Sequence, residues 1–392
     1  MHHASTVSPA SVDSAVVLRV LRALAQHPGL TRAELAARVG TSRPTVSAAL
    51  RMLEDRGFLE QRVQPDERSI GRPPMRVFLA GSAASSVGLE ITRTELHAGM
   101  FDISGRALSQ VRAPVRDFED AALLLDDAAA LVRRLLDRYA RATAYVLGIG
   151  VAVAAPIDHE GRVVHDVSPT QWTHVDLGRE LSERLGLPVS VENDANAGAL
   201  AEHRFGAGRN CADLLYLRVA GGVGAGLILG NRLHRGASGI AGELGHMTID
   251  PRGALCSCGG RGCLETIAGT LALEDELSAV KRAPVEDGWM TPGDRHVRRL
   301  VADAGDAVGS AIASAINLLD PGRVVIGGPL AEAGAVFFDA IDAAIARDAI
   351  PPAAARARVV PGSLGAHASI LGAATALISR ELEVLVSPAA VA

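Results

Sequence analysis

Apolar residues near the start of the chain recur every three or four positions, which is the spacing of an amphipathic helix. A first helix is predicted from Val16, Val17, Val20, Leu21 and Leu24. The pattern stops at 27–29, where a proline and a glycine interrupt it. Thr31 and Glu34 then predict a capping box for a second helix, 33–39, and Gly40 should end that helix.

A third helix is predicted directly afterwards, because Thr41 or Ser42 can cap it and Pro44 fits its first turn. Its buried face is defined by Val46, Leu50 and Leu53. Its exposed face carries small polar and guanidinium groups that suit phosphates and base edges in a DNA major groove: Ser42, Arg43, Thr45, Ser47 and Arg51. A merely solvated helix face would look similar, but the tight turn at Gly40 favours a helix-turn-helix motif.

Two segments of alternating residues, 58–63 and 75–79, predict a pair of strands joined by a polar loop. The loop ends in the sequence Gly-Arg-Pro-Pro at 71–74. An arginine between glycine and proline has no bulky neighbours, so Arg72 is a candidate for insertion into a narrow minor groove. An ordinary hairpin tip is the alternative. With the three helices, these strands predict a winged helix-turn-helix DNA-binding domain over residues 1–80.

The charge of the chain is unevenly divided between this first domain and the rest. Residues 1–80 contain eleven arginines and no lysine against seven acidic residues, a net charge of +4. The whole chain has a net charge of −5, which leaves −9 for the remainder. A basic first domain on an acidic body indicates a nucleic-acid partner for the first domain alone.

Length and composition are typical of a globular protein with more than one domain. The chain has 392 residues, of which 48% are hydrophobic and 21% charged, so two or three domains are expected. No apolar run reaches the roughly 18 residues of a membrane span. Residues 1–10 also lack the basic-then-apolar pattern of a signal peptide. We therefore expect a cytoplasmic protein with no membrane partner.

Three of the four cysteines fall within eight residues, shortly after a histidine. The predicted metal ligands are His246, Cys256, Cys258 and Cys263. Thiolates and an imidazole in this number suit the closed tetrahedral shell of a structural zinc site, and the glycines between them allow a tight loop. Three unpaired core cysteines, or a disulfide and a spare, are the alternatives, but core cysteines do not cluster among glycines and arginines. The pattern predicts one Zn²⁺ per chain, with Cys211 as a core residue.

From residue 86 onward, predicted strands and helices alternate, which is typical of an α/β architecture with ligand-binding groups at strand ends. Predicted strands are 87–91, 95–101, 146–153, 189–191, 214–219 and 324–328, and predicted helices are 121–140, 177–185 and 195–205.

Several motifs of the body occur together. Residues 222–226 read Gly-Val-Gly-Ala-Gly, and 242–246 read Gly-Glu-Leu-Gly-His. Residues 192–197 read Glu-Asn-Asp-Ala-Asn-Ala, and 256–265 contain the three cysteines. A late segment, 317–328, runs from Asn-Leu-Leu-Asp-Pro to Gly-Gly. In this combination the chain resembles the repressor–ORF–kinase (ROK) family over essentially its full length.

The resemblance implies an α/β, two-lobed, actin-like (sugar kinase-like) body with a sugar bound between the lobes. One lobe would comprise 85–200 together with 368–382, and the other 201–367 with the zinc loop. In the kinases of the family, the residue that matches Asp194 is the general base for a sugar hydroxyl, a role that suits a strand-end carboxylate.

The resemblance further implies a set of residues that bind sugar hydroxyls: Asn193, Asp194, Glu243, His246 and Glu265. His246 would then act twice, with one ring nitrogen on zinc and the other toward the ligand, so that the metal fixes its orientation. The alternative is that these polar groups only cap strands.

The chain departs from the kinase pattern where phosphates would be bound. The family's kinases begin the body with an Asp-x-Gly-Gly-Thr turn, but residues 90–94 read Glu-Ile-Thr-Arg-Thr. Without the glycines, a tight phosphate-binding backbone is not available without strain. The second phosphate loop also has Ala220-Gly221 in place of a usual Gly-Thr pair. We therefore expect ligand binding without catalysis, with Asp194 as a vestigial base.

Three hypotheses follow. The first is a transcriptional repressor of sugar uptake or metabolism genes that binds an inverted-repeat operator as a homodimer or homotetramer and responds to a sugar or sugar phosphate. The second is an ATP-dependent sugar kinase with an accessory DNA-binding domain. The third is a zinc-stabilised dimerisation scaffold without a ligand.

Overall fold

The computed structural model of the protein describes residues 14–27, 29–63, 74–139, 145–164, 172–281, 290 and 294–386. Within these residues the strands form a two-stranded sheet and two five-stranded sheets. None of the helices in these segments is both long enough and apolar enough to cross a lipid bilayer.

The first domain has the predicted winged helix-turn-helix arrangement. Its elements are α1 (Ser14–Gln26), α2 (Arg32–Val39), α3 (Arg43–Asp55), β1 (Leu59–Val63) and β2 (Met75–Leu79). The capping box of α2 is confirmed, because Thr31 and Glu34 each accept a hydrogen bond from the other's backbone N–H. Gly40 ends α2 in the left-handed conformation, at φ 67°. β1 and β2 pair antiparallel, and Leu30 adds an isolated bridge to Val77.

The first five-stranded sheet has the strand order β5-β4-β3-β6-β7. Its strands are β3 (Ala84–Ile91), β4 (Glu95–Asp102), β5 (Ala107–Pro114), β6 (Tyr145–Val153) and β7 (Val189–Asn193). The helices that follow in sequence are α4 (Ala121–Tyr139), α5 (Leu177–Leu185) and α6 (Asp194–Phe205). Apolar residues of α4 and α5 pack on one face of the sheet in a single buried cluster.

The second five-stranded sheet has the order β10-β9-β8-β11-β12. Its strands are β8 (Leu214–Val219), β9 (Val223–Leu229), β10 (Arg232–Leu233), β11 (Arg323–Gly327) and β12 (Val359–Pro361). The helices of this part are α7 (Glu265–Ala268), α8 (Thr270–Lys281), α9 (Arg295–Leu319), α10 (Ala335–Asp348) and α11 (Pro351–Ala354). The last helix of the chain, α12 (Ala368–Val386), returns to the first sheet, where Ser86 of β3 donates a hydrogen bond to the carbonyl of Ala374.

The two large sheets share one topology. In each, the first three strands form an antiparallel meander, and two later strands add in parallel beside the first strand. This repetition is the two-lobed, actin-like arrangement that the sequence analysis expects. The lobe boundaries given there, 85–200 with 368–382 and 201–367, stay a prediction.

Helix α12 lies unusually close to the first sheet because two strand residues have no side chain. A Cβ at Gly88 would lie 1.8 Å from the carbonyl oxygen of Ile370, and a Cβ at Gly150 would lie 2.0 Å from that of Ala373. Farther along the same helix, Leu377 and Ile378 belong to a buried cluster that also contains Leu21 and Leu50 of the first domain. The first domain and the first lobe therefore share one hydrophobic core.

The predicted helix 177–185 matches α5, and the other predicted elements match within a few residues. Residues 223–229 form β9 although their glycines weaken the strand signal. Gly226 is required there, since a Cβ at this position would lie 2.6 Å from the carbonyl oxygen of Ala195 in α6. The wing loop 64–73, and with it Arg72, lies outside the described residues.

Candidate functional site

The end of β7 places two of the predicted ligand-binding residues at the start of α6. Asn193 is the N-cap of this helix, and its side-chain oxygen accepts hydrogen bonds from the backbone of Ala195 (2.9 Å) and Asn196 (3.0 Å). Its side-chain nitrogen donates to the carbonyl of Ala155 (3.1 Å). The amide thus has structural partners, and its contact with a sugar stays a prediction.

Asp194 is buried and forms an ion pair that the sequence analysis did not find. Arg218 of β8 lies with Nη1 3.3 Å from Oδ2 of Asp194, and with Nη2 2.8 Å from Oε1 of Glu90 in β3. Burial raises the pKa of Asp194; Arg218 counteracts the rise and Glu90 adds to it. The only signal in the sequence was a single arginine within the apolar strand Leu214–Val219.

A second ion pair joins the two lobes nearby. Arg235, in the loop after β10, contacts Oε2 of Glu192 through both Nη2 (2.6 Å) and Nε (3.1 Å). The other carboxylate oxygen of Glu192 accepts a hydrogen bond from Asn196 (3.0 Å). Charged groups of the second lobe therefore contact the end of β7 directly.

The remaining predicted ligand-binding residues come from the second lobe. Glu243 Oε2 lies 3.7 Å from Nε2 of His246, and Glu265 accepts a hydrogen bond from the backbone N–H of Val223 (3.1 Å). Burial, together with the charges of Asp194 and Glu265, raises the pKa of Glu243 to about 7. The charges of Asp194 and Glu265 thus act on Glu243, and His246 lies next to it.

Residues 90–94, where the sequence predicts a departure from the phosphate loop of the kinases, form the end of β3 and a hairpin turn. The hydroxyl and the backbone N–H of Thr92 both donate to the carbonyl of Glu95, and the Thr92 hydroxyl accepts from the Glu95 N–H (3.0 Å). Beside this turn lies a cavity of about 210 Å³ whose walls include Glu90, His97, Arg218 and Ser369.

The four predicted metal ligands lie together. Their ligand atoms are all within 4.8 Å of one another. Nδ1 of His246 is 3.5 Å from Sγ of Cys256, and the Sγ atoms of Cys258 and Cys263 are 3.7 Å apart. With Zn–S distances of about 2.3 Å and Zn–N distances of about 2.0 Å, a tetrahedral shell separates two sulfurs by about 3.8 Å and sulfur from nitrogen by about 3.5 Å. The cluster therefore has dimensions that could hold a metal ion such as zinc.

The loop that carries the cysteines also positions His246 and Glu265, two of the residues predicted to bind a sugar in the cleft between the lobes. Thr248 and Cys263 form an isolated β-bridge, and the backbone N–H of Leu264 donates to the carbonyl of Met247 (2.9 Å). His246 and Glu265 are adjacent in sequence to these bonds. The Nδ1 atom of His246 faces Cys256 while Nε2 faces Glu243, and the double role of His246 on metal and ligand stays a prediction.

The predicted DNA-binding residues lie on α3 and at its N-terminus. Ser42 caps the helix by accepting from the backbone N–H of Thr45 (3.3 Å), and the two hydroxyls are 2.8 Å apart. Arg43 and Arg51 are exposed, whereas Thr45 and Ser47 are partly buried. Arg43 and Arg51 are therefore the long charged side chains that this face of α3 exposes.

A winged helix-turn-helix domain that shares a core with a two-lobed, sugar kinase-like body defines a class of regulator. The comparisons agree with this class. Residues 86–380 match the ROK family, and residues 14–69 match the MarR family. The chain belongs to the ROK family.

Three known proteins illustrate the likeness. The xylose repressor of Caldicellulosiruptor bescii is 28% identical over 382 residues, which are 93% of this chain and 96% of that protein. The crystal structure of a ROK family transcriptional regulator, a homolog of the E. coli MLC protein, has a TM-score of 0.77 at 26% identity and covers 94% of this chain and 96% of its own. A ROK family glucokinase from Streptomyces griseus, in complex with glucose and AMPPNP, has a TM-score of 0.65 at 30% identity, covering 74% and 98%.

Proposed function

We propose that the protein is a DNA-binding repressor of genes for sugar uptake or metabolism, controlled by a sugar or sugar phosphate that binds between its lobes. The observation that carries this proposal is the shared core of the winged helix and the first lobe, which includes Leu377 of α12. The similarity to a xylose repressor over nearly the whole chain supports it. Cytoplasmic action follows from the proposal.

For DNA binding, α3 would enter the major groove with Arg43 and Arg51 on bases or phosphates, supported by Ser42, Thr45 and Ser47, while Arg72 of the wing would reach the minor groove. One such domain covers half of an operator. A homodimer or homotetramer would therefore read an inverted repeat whose spacing follows the two-fold axis of the protein.

For ligand binding, the proposed contacts come from both lobes. Asn193 and Asp194 belong to the end of β7 and the start of α6, whereas Glu243, His246 and Glu265 follow the second sheet's meander. Carboxylates accept hydrogen bonds from sugar hydroxyls, and Glu243, with a pKa of about 7, can also donate one when protonated. A sugar bound to both sides would favour the closed arrangement of the lobes.

The proposed metal is one structural Zn²⁺ per chain, held by His246, Cys256, Cys258 and Cys263. The spacing of the ligand atoms supports it, and so does Gly260, where a Cβ would lie 3.3 Å from Sγ of Cys258. The metal supplies a fourfold crosslink when bound. The crosslink would include His246 itself and end two residues before Glu265.

The absence of kinase activity is also a proposal. Residues 90–94 form the end of a strand and a turn closed by Thr92 and Glu95, not a glycine loop around a phosphate. Phosphoryl transfer needs backbone amides and Mg²⁺ around the phosphates. The second candidate, a sugar kinase with an accessory DNA-binding domain, is favoured by Asp194 at its strand end and by the 30% identity to the glucokinase.

The test combines DNA binding with turnover. Fluorescence anisotropy with DNA from upstream of the gene is measured with and without D-xylose, D-glucose, N-acetylglucosamine and their phosphates. We expect tight DNA binding that one of these compounds changes, and no ADP release with ATP and any of them. ATP-dependent phosphorylation of a sugar at enzymatic rates would contradict the proposal and favour the kinase.

A further inference from the structure

The cleft contains a buried cation that belongs to the protein itself. Arg218 projects from β8 of the second sheet and contacts three elements around the first sheet. Besides its ion pairs with Glu90 of β3 and Asp194 of α6, its Nε donates to the hydroxyl of Ser369 in α12 (3.3 Å). The exposed fractions of the three charged side chains are only 17%, 9% and 10% for Arg218, Glu90 and Asp194.

Two buried carboxylates that face each other cannot both stay ionised without a counter-charge, since desolvation and mutual repulsion both favour protonation. A guanidinium remains protonated under these conditions and can bind both groups in its planar fork. Arg218 occupies this position. Both oxygens of Asp194 are thereby engaged, one by Arg218 and the other by the backbone N–H of Ala195 (2.8 Å).

We propose that Arg218 is a positioning residue of the ligand cleft: it keeps Asp194 ionised and fixed, so that this carboxylate accepts a ligand hydroxyl instead of removing its proton. The same contacts connect β8 with β3, α6 and α12 across the lobes. The part that concerns the ligand rests on the proposed function, whereas the part that concerns the buried charges does not.

A general base must be free to take a proton, and its conjugate acid must be tolerated by its neighbours. A buried carboxylate beside a fixed guanidinium is a weaker base than the same buried carboxylate without it, because the cation stabilises the ionised form. The remaining lone pairs of the Asp194 carboxylate can still accept a hydrogen bond from a ligand hydroxyl. Arg218 thus favours binding over proton transfer at the residue that the kinases use as base.

The first test needs no ligand. The melting temperature of the full chain is measured between pH 5.5 and pH 8.5 for the unmodified protein, Arg218→Met and Arg218→Met/Glu90→Gln. Arg323→Met serves as control, since Arg323 lies in the same sheet and donates to the carbonyl of Ala207 away from the cleft. Charged and titratable groups around Asp194 are Arg218 and Tyr216 of β8, Glu90 of β3, and Glu243.

In Arg218→Met the folded-state pKa of Asp194, which burial already raises, rises further above its unfolded value, so the folded state binds more protons than the unfolded state and stability falls as pH increases through that range. We expect Arg218→Met to melt below the unmodified protein, and the difference in melting temperature to be larger at pH 8.5 than at pH 5.5. Adding Glu90→Gln should reduce this difference, and Arg323→Met should show none. A deficit of Arg218→Met that is equal at both pH values would overturn the proposal.

The second test measures sugar affinity by calorimetry over the same pH range, with D-xylose, D-glucose and N-acetylglucosamine as probes. Removing a cation within 4 Å of a carboxylate raises its pKa by roughly 1–3 units. The pH below which affinity is lost should therefore rise by about one unit or more in Arg218→Met. The pH below which affinity is lost should fall in Glu90→Gln, because Asp194 is then the only carboxylate paired with Arg218.

Glu90→Gln also keeps the test decisive if Arg218→Met does not fold. If the pH below which sugar affinity is lost is the same in Glu90→Gln as in the unmodified protein, the positioning role of Arg218 is contradicted. If the unmodified protein bound none of the probes, the proposed sugar response would fail, while the melting experiment would still decide whether Arg218 balances the buried charges.

Discussion

Residues of the cleft are largely held by other protein groups before any ligand arrives. Asn193 caps α6, Glu265 accepts from Val223 N–H, and Glu192 is paired with Arg235. Side chains fixed in this way lose little conformational entropy when a ligand binds, so the proposed ligand site would be preorganised. For Asn193 and Glu265 the sequence leaves open whether they cap strands or bind a ligand, and for Asn193 the capping contacts are present.

The metal cluster provides the first prediction at this scale. Cys258→Ser should remove the metal and leave the loop 256–263 without its crosslink, because a closed shell contributes its binding free energy to folding. We expect about one zinc per unmodified chain by elemental analysis, and a metal-depleted, aggregating variant.

Cys211→Ser is the matched control for that prediction. Cys211 is buried and its thiol donates to the carbonyl of Asp213 (3.1 Å), far in sequence from the metal ligands. This variant should keep its zinc. Unmodified protein that folds equally well without any metal would refute the structural role.

At the scale of elements, helix α3 presents Arg43 and Arg51 to solvent, and within the described residues neither has an ion-pair partner. Arg43→Ala or Arg51→Ala should weaken operator binding by about 1–3 kcal/mol if the side chain contacts a base. Anisotropy titrations at several salt concentrations measure this, with the exposed Arg134→Ala of α4 as control. Equal loss in the control would contradict a direct contact.

The wing carries a separate prediction. Arg72→Ala should reduce affinity most for operators with A·T-rich flanks, because a narrow minor groove has an enhanced negative potential that attracts an inserted arginine. The same titrations with A·T-rich and G·C-rich flanks measure it. If both flanks lose affinity equally, Arg72 contacts only phosphates.

Helix α12 joins the first domain to the first lobe. Leu377 is fully buried in the cluster that contains residues of both. Leu377→Ala should reduce the free energy of unfolding by about 2–5 kcal/mol through lost burial and the cavity left behind. Denaturant unfolding measures the change, and the exposed Leu318→Ala is the control. A change below 1 kcal/mol would show that this junction is loosely packed.

At the scale of the whole molecule, α12 packs on α6 and on α1 of the first domain, and residues of α3 and α12 share one buried cluster. We expect the effector to change operator affinity roughly 5–150-fold, which is the usual range of coupling energies between two sites. Reciprocity requires operator DNA to change effector affinity by the same factor. Asp194→Asn and Glu243→Gln should abolish the response while operator binding without effector persists.

Glu276→Gln, on the exposed side of α8, is the control for these two variants. Operator affinity is measured by anisotropy with labelled operator, and effector affinity is measured by calorimetry with the sugar. Loss of operator binding in Asp194→Asn without effector would contradict the separation of the two sites.

The elements with strong local signals were determined by the sequence alone. The capping box of Thr31 and Glu34, the turn at Gly40 and the bounds of α5 depend on contacts between near neighbours in the chain, and the structure agrees with them. The cluster of candidate metal ligands was also evident, because three cysteines and a histidine lie within eighteen residues. Local hydrogen bonds and short loops require particular residue types at neighbouring positions, so the sequence predicts them.

Only the tertiary structure decided how distant segments meet. Arg218 reaches Glu90, which is 128 residues away, and α12 lies on β3 and β6 because Gly88 and Gly150 have no side chain. No periodicity or motif encodes such a contact, since it depends on how segments far apart in the chain pack together. The charge balance at Asp194, and with it the chemistry of the cleft, arises from this long-range packing.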